Sequence, residues 1–509
     1  MSTQAFQPDF DHFTSRYSQG ESQLVMTSLV GDLETPVSAY IKLRQAFPGP
    51  AFLLESVEGG AVRGRYSMIG LRPDLIWRCA NGQASINRKA LHDAKSFEPE
   101  TLAPLQSLRA LLKESTLPIS ADMPPMSAGL FGYLGYDMVR EMEQLAEAKS
   151  DPLNLPDAIM IRPTAMVIFD SVKDTIAVIV PARCKPGETA RACYEHAIDL
   201  IEQVTCALEL PLPHQRRSDV SALASIEPVS NTSEDDYKAM VARAKDYIRA
   251  GDIFQVVLSQ RFEAKFDLPA FALYRALRRV NPAPYLCYLD FEEFQVVCSS
   301  PEILVRVRDG KVTIRPIAGT RPRGATHAQD EALAQELLAD EKERAEHLML
   351  LDLGRNDVGR VSQIGTVEVT DSFFLERYSQ VMHIVSNVQG SLHQDYDALQ
   401  ALAAGFPAGT VSGAPKIRAM EIIDELEKDK RGIYAGCIGY FGGDGDMDTC
   451  IVLRTAIVKD KIMRVQAGAG IVYDSVPESE QQECVNKAKA LFRAAEEAVR
   501  FASSARYGQ

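Results

Sequence analysis

The most regular patterning lies in the second half of the chain. Tyr237, Met240, Val241, Ala244 and Ile248 fall at i, i+3, i+4, i+7 and i+11, one stripe of a helix. Ser233 offers the cap before that stripe and Gly251 the stop after it. Residues 477–500 repeat the arrangement: Pro477 suits a first turn, and Cys484, Ala488, Leu491, Phe492 and Ala495 form the stripe. Residues 340–357, DEKERAEHLMLLDLGRND, open as a charged helix and then run Leu348, Met349, Leu350, Leu351 without interruption. At about 100° per residue those side chains point all round the cylinder, which predicts a helix buried on every side from there on. Strand-like runs follow at 254–262, 285–291, 294–299, 303–308, 311–316, 433–441, 450–458 and 462–468. Many are joined by short loops, which favours antiparallel hairpins over a parallel sheet.

The first half is less regular. Strand-like runs at 51–55, 128–133, 165–170 and 175–180 are interrupted by amphipathic helical stretches near 105–112 and 188–208. Residues 210–233 are rich in Pro and Ser with no period and read as a connection, dividing the chain into 1–225 and 226–509.

Composition narrows the classes. A 509-residue chain with 46% hydrophobic and 24% charged residues is that of a soluble globular protein. A net charge of −14 argues against a nucleic-acid binder, and it obliges any anionic substrate to meet a locally positive pocket or a metal. Nine Cys, scattered from Cys79 to Cys484 with no C-x-x-C pair, suit a reducing cytosol, with thiols serving as small core residues. The start, MSTQAFQPDFDHF, has neither a basic nor an apolar signal region, and no apolar run approaches the roughly 18 residues of a membrane span. A cytoplasmic protein with no membrane partner is expected.

Candidate chemistry comes next. Glu343 and Glu346 sit three apart on one helical face, and Glu480 and Glu483 repeat that spacing, with Lys487 one turn later. A solvated acidic first turn and an ordinary Glu483–Lys487 pair account for the same spacing. Two helix-borne Glu pairs are also a reasonable way to hold Mg²⁺, which takes one or two protein carboxylates and keeps several waters. Gly468-Ala469-Gly470 fails as a dinucleotide fingerprint because Tyr473 stands where a third Gly is needed; it is either a plain turn or a place where backbone N–H groups approach a carboxylate. Asp444, Asp446 and Asp448 alternate like a calcium loop, but Thr449 and Thr455 occupy its Gly and Glu positions, so a hairpin tip is expected. FPAGTVSGAPK (406–416) has the composition of a phosphate loop without its spacing and leads into a helix at 417–426. His383, in an alternating apolar strand, is open to a structural or a catalytic role, and no nucleophile elbow is present.

Read together, these segments resemble the large synthase component of the anthranilate synthases, within the chorismate-utilising enzyme family. The words that carry the resemblance are LLES (53–56), NPAPYL (281–286), SSPEILVR (299–306), PIAGTRPRG (316–324), EHLMLLDLGRND (346–357), VMHIVS (381–386), FPAGTVSGAPK, RGIYAGCIGYF (431–441), DTCIVLR (448–454) and QAGAGIVYDSVPESEQQE (466–483). They fill the second half densely, in the family's order, and the first half thinly. The resemblance implies an α+β fold in which two large antiparallel β-sheets pack face to face with helices outside. It makes 1–225 an N-terminal domain contributing a tryptophan regulatory site and 226–509 the chorismate-binding catalytic domain.

The resemblance also implies roles. Glu346 and Glu483 would ligate Mg²⁺, with Glu343 and Glu480 close enough to assist. Tyr434, Arg454, Gly468, Ala469, Gly470 and Lys487 would contact the carboxylates of chorismate, and Gly319, Thr320 and Thr410 would line the same pocket. Glu302 resembles the general acid that protonates the departing C4 hydroxyl, and His383 falls where the family places the aromatising step. Gln255 stands where sister enzymes carry a water-activating Lys, and Ala318 stands where aminodeoxychorismate synthase carries a nucleophilic Lys. The implied reaction is that of a Mg²⁺-dependent lyase making anthranilate and pyruvate from chorismate and ammonia, the first step of tryptophan biosynthesis. Ammonia would come from a glutamine amidotransferase subunit in a heterotetramer. Glu55, Ser56, Pro284, Tyr285 and Leu286 resemble the site where tryptophan binds and inhibits. The alternatives are aminodeoxychorismate synthase component I and a catalytically silent tryptophan-binding subunit.

Overall fold

Side chains that alternate along single strands enter different cores. In the computed structural model, which describes residues 5–58, 62–120, 123–146, 149–212, 226–378 and 381–503, the strand Ala51–Glu58 shows this clearly. Ala51 and Leu53 join a core covered by the helices Pro36–Ala46, Ala190–Glu209, Ala270–Val280 and Pro477–Ser503. Phe52 and Leu54 point the other way, into a core with no helical residue among its buried members. The strand Cys437–Gly442 divides likewise: Cys437 and Phe441 face the helices Glu234–Ala250, Glu341–Gly359, Ala398–Gly405 and Lys416–Leu426, while Ile438 and Tyr440 face the helix-free core. A period of two thus sends one face of each strand to a helical layer and the other to an opposing sheet. Two sheet layers pack face to face, with helices outside, and the expected α+β architecture holds.

The ladders are antiparallel and link 22 strands into one continuous sheet. They also join the two halves of the chain. Tyr285 and Leu286 of Tyr285–Asp290 lie opposite Ser56 and Glu55, and Cys437 lies opposite Leu134 of Gly129–Leu134. The boundary expected at 225/226 borders residues 213–225, which lie outside the described residues.

Helix ends follow their caps. Ser233 accepts from the Asp236 N–H to open Glu234–Ala250, and Gly251 closes it at φ 84°. Asp340 accepts from the Lys342 and Glu343 N–H groups and opens Glu341–Gly359. That helix is not buried on every side as the LMLL run predicted: Leu348 is 50% exposed, and the core side carries His347, Leu350, Leu351, Gly354 and Val358. The reason is the exposed row Arg344, Leu348, Asp352 and Arg355, whose charges keep one stripe in water and carry Leu348 with them. Two strands also differ from expectation. Ile433–Gly436 are turns, with Ala435 at φ 65°, so the strand starts at Cys437. The run through 450–458 breaks between Met447–Ile451 and Thr455–Lys459, where Arg454 takes φ 47°. The 19-residue strand Val62–Ala80 and the edge strand Glu368–Arg377 were not foreseen, because charged residues interrupt their apolar alternation.

Candidate active site

His383 lies on the strand Val381–Ser391, paired to Ile317–Pro322. A register shift between Ala318 and Thr320 leaves Gly319 bulged at φ 68°, a left-handed conformation that favours glycine. The bulge turns the Gly319 carbonyl to within 3.0 Å of His383 Nδ1, with Thr320 Oγ1 at 3.1 Å. Nδ1 therefore carries the proton and donates it, which leaves the lone pair on Nε2. Nε2 is buried and without a hydrogen-bond partner among the described residues. Burial, aided by the positive charge of Arg454, holds the imidazole at about 4, so it is neutral at pH 7. The Tyr378 ring packs edge-on against the imidazole, with the ring centroids 5.6 Å apart.

Glu302 begins the strand entry at Ile303–Arg308 and is 6% exposed. Thr410, from the short 3₁₀ turn Gly409–Val411, donates to its Oε1 at 3.2 Å. Burial lifts this carboxyl to about 8 despite that bond and the neighbouring Arg454, so it is protonated at neutral pH. Arg454, turned inward by the strand break, interacts electrostatically with Glu302, His383 and Tyr378. It has neither a salt bridge nor a side-chain hydrogen bond among the described residues. A half-buried guanidinium of that kind is set to receive an anion.

A second group of candidate residues lies on the strand Ile462–Ile471 beside Gln255–Lys265, with Gly468 opposite Ser259 and Gly470 opposite Val257. A Cβ on Gly468 would stand 3.0 Å from the Tyr434 hydroxyl, and one on Gly470 2.7 Å from Gln255 Nε2. Only glycine leaves that surface open. The methyl of Ala469 is buried in the core, so its backbone alone faces this surface. Lys487 Nζ donates to the Gly468 carbonyl at 2.8 Å and pairs with Glu483 at 2.7 Å. Tyr434 is backed by Arg431, whose guanidinium sits 5.6 Å from its ring and is neutralised by Glu427 at 2.6 Å.

The two acidic helix starts face one another. Burial raises the Glu346 carboxyl, and both Glu343 on its own helix and Glu483 on the other raise it further. Burial raises Glu480 as well, and Glu483 adds to that. Arg321 contacts Glu343 at 3.2 Å, and Gln255 Nε2 donates to Glu346 at 3.0 Å. This set offers only hard carboxylate oxygens, and their mutual repulsion is relieved by a cation, so the donors fit Mg²⁺. They do not converge to a closed cage; among the described residues the one group of three ligating atoms within 4.8 Å of one another is Cys287, Cys298 and Cys450. An open set suits an ion that retains water. Lys416 of the 406–416 loop is engaged with Asp357 at 2.8 Å, which removes it as an anion ligand.

A separate cavity of about 770 Å³ is lined by Glu55, Ser56, Pro284 and Tyr285. Leu286 does not line it; its side chain is in the helix-covered core on the other face of the strand. Glu55 is held by both Arg278 nitrogens, at 2.7 and 2.8 Å, and by the Tyr274 hydroxyl at 2.6 Å. Tyr378 also lines the cavity, its hydroxyl donating to Glu376 at 2.6 Å, so one residue borders both this cavity and His383. The sequence reading passed over Tyr378, although it stands just upstream of VMHIVS.

The family of chorismate binding enzymes matches residues 49–493. The chain belongs to that family. It is 55% identical over 500 residues to anthranilate synthase component 1 of Cereibacter sphaeroides, covering 98% of this chain and 99% of that one. It is 49% identical over 469 residues to the protein of that name from Pseudomonas aeruginosa, covering 91% and 94%. Among solved structures, anthranilate synthase component I from Streptococcus pneumoniae superimposes with a TM-score of 0.76 at 39% identity, over 84% of this chain and 92% of that one. The menaquinone-specific isochorismate synthase of Escherichia coli shares the fold, with a TM-score of 0.69 at 20% identity over 96% and 98% of the two chains. Within the family, this chain falls with the anthranilate synthase component 1 proteins and is an enzyme acting on chorismate.

Proposed function

We propose that the chain converts chorismate and ammonia to anthranilate and pyruvate, with each carboxylate of the substrate met by a different group of these residues. The observation that carries this reading is the placement, around the one cation Arg454, of a protonated buried acid, Glu302, and a neutral histidine whose Nε2 has no partner among the described residues. Ammonia attacks C2 as the C4–O bond breaks, and Glu302 gives its proton to the departing oxygen, which leaves as water. His383 then takes the proton from C2. The electron pair forms the aromatic ring as the bond between C3 and the side-chain oxygen breaks, and the released enol becomes pyruvate. Arg454 is the cation for one carboxylate; Tyr434, Lys487 and the open backbone at Gly468 and Gly470 face the other.

Glu346 and Glu483, with Glu343 and Glu480 beside them, would hold Mg²⁺, which when bound neutralises a ring carboxylate. Gln255 offers an amide where water activation would need a base, which favours ammonia over water as nucleophile, and Ala318 offers no nucleophile, which disfavours aminodeoxychorismate as the product. Ammonia reaches the site from an amidotransferase subunit in a heteromeric, cytoplasmic complex, and tryptophan occupies the 770 Å³ cavity as inhibitor.

The test is to incubate the purified chain with chorismate, Mg²⁺ and ammonium and to follow anthranilate fluorescence. Its appearance with stoichiometric pyruvate is expected. An amino product that is not aromatic points instead to aminodeoxychorismate, and no product at all removes the reading.

A further inference from the structure

Cys287 and Cys298 are direct cross-strand partners, and Cys450 arrives from the strand Met447–Ile451. All three are buried in the core between the two sheet layers, and their sulfur atoms lie within 4.8 Å of one another. A trigonal metal about 2.3 Å from each sulfur needs them about 4 Å apart, so the triangle contracts by less than about 1 Å to take it. The six other cysteines are scattered, so this triad is a local feature of the fold.

From this geometry we infer a thiol site for a soft, low-coordinate cation, of which Cu⁺ is the representative. Three sulfurs with no His, Asp or Glu atom joining the group exclude the hard-ion chemistry of the glutamates. The absence of a fourth such ligand among the described residues favours a trigonal ion over tetrahedral zinc. Entry is available, because Cys287 lines the 770 Å³ cavity while Cys298 and Cys450 stand behind it. Cys298 is the sulfur placed to keep its proton, because its S–H donates to the Leu453 carbonyl at 3.8 Å, an oxygen that also accepts from the Thr455 hydroxyl at 2.9 Å. Charge balances if Cu⁺ displaces two thiol protons and the third sulfur stays a neutral donor, leaving one net negative charge. The contact with Cys298, with burial, holds the Cys287 thiol protonated, and burial does the same for Cys450, so affinity rises with pH.

The test uses the full-length chain, reduced and treated with chelator under anaerobic conditions. Cu⁺ is titrated in competition with bicinchoninate, and the loaded protein is examined by X-ray absorption. One tight Cu⁺ per chain with three sulfur neighbours is expected. Cys298→Ser and Cys287→Ala should each weaken binding at least 100-fold, with circular dichroism confirming that they fold, while Cys184→Ser and Cys206→Ser leave it unchanged. Equal binding by folded Cys298→Ser, loss of binding on changing the more accessible Cys184 or Cys206, or fewer than three sulfur neighbours would each overturn the assignment.

Discussion

Replacing Glu302 by Gln keeps the volume of the side chain and an oxygen able to accept from Thr410, but removes the transferable proton. The carboxyl is lifted from 4.5 to about 8, so at pH 7 some nine molecules in ten hold the proton ready. General acids of this kind contribute about 10²–10⁴ in rate, roughly 3–5 kcal/mol of barrier, so Glu302→Gln should lower kcat by that factor. Stability should move the other way. The folded carboxyl binds its proton more tightly than the unfolded one, so the wild-type chain loses stability as pH rises from about 4.5 to about 8. By alkaline pH the cost is about 5 kcal/mol at most, a cost the Gln variant does not bear. Two assays read this out: anthranilate formation against pH at constant free ammonia, and denaturation midpoints at pH 6 and pH 9. The wild-type rate should fall as pH passes about 8, a limb missing from the variant. The variant should be the more stable protein, by a margin wider at pH 9 than at pH 6. Wild-type-like turnover in Glu302→Gln, or an unchanged alkaline limb, would refute the role of the acid; a margin that does not widen with pH would refute its buried protonated state.

Three further outcomes are expected. His383→Ala should stop aromatisation after amination, so that a non-aromatic amino compound accumulates by chromatography while anthranilate formation drops about 10²-fold or more; with wild-type His383 neutral above about 4, no acidic limb from this residue should appear near pH 6. Glu483→Gln should weaken Mg²⁺ binding in a calorimetric titration and cut turnover on the order of 10²-fold; full activity with unchanged Mg²⁺ affinity would detach the acidic helix starts from the metal. Ser56→Ala removes a side chain that lines the cavity and donates to the Tyr66 carbonyl at 3.2 Å, outside the reacting groups; kcat should be unchanged while tryptophan inhibits several-fold less, as measured by half-inhibitory concentration.

Local chemistry was enough to mark the helices 234–250 and 477–503, because a stripe repeating every 3.6 residues and a cap are properties of neighbouring residues. The same holds for the strand around His383 and for the three-residue spacing of each Glu pair. The words of the second half carried the family before any coordinate did. What the chain could not reveal by itself is whatever depends on residues brought together from far apart. Glu346 and Glu483 are separated by more than a hundred residues, and only the packed helices let Glu483 raise the proton affinity of Glu346. Leu286 and Tyr285 are adjacent, yet a pleat sends one into a helical core and the other into the cavity. Arg454 reaches the site because its strand breaks, and the acidity of Glu302 and the basicity of His383 are set by burial that no neighbouring residue announces. Spacing along a chain records which side chains share an element; desolvation and long-range charge exist only once elements are packed, and here those two effects turn a glutamate into an acid and a histidine into a base.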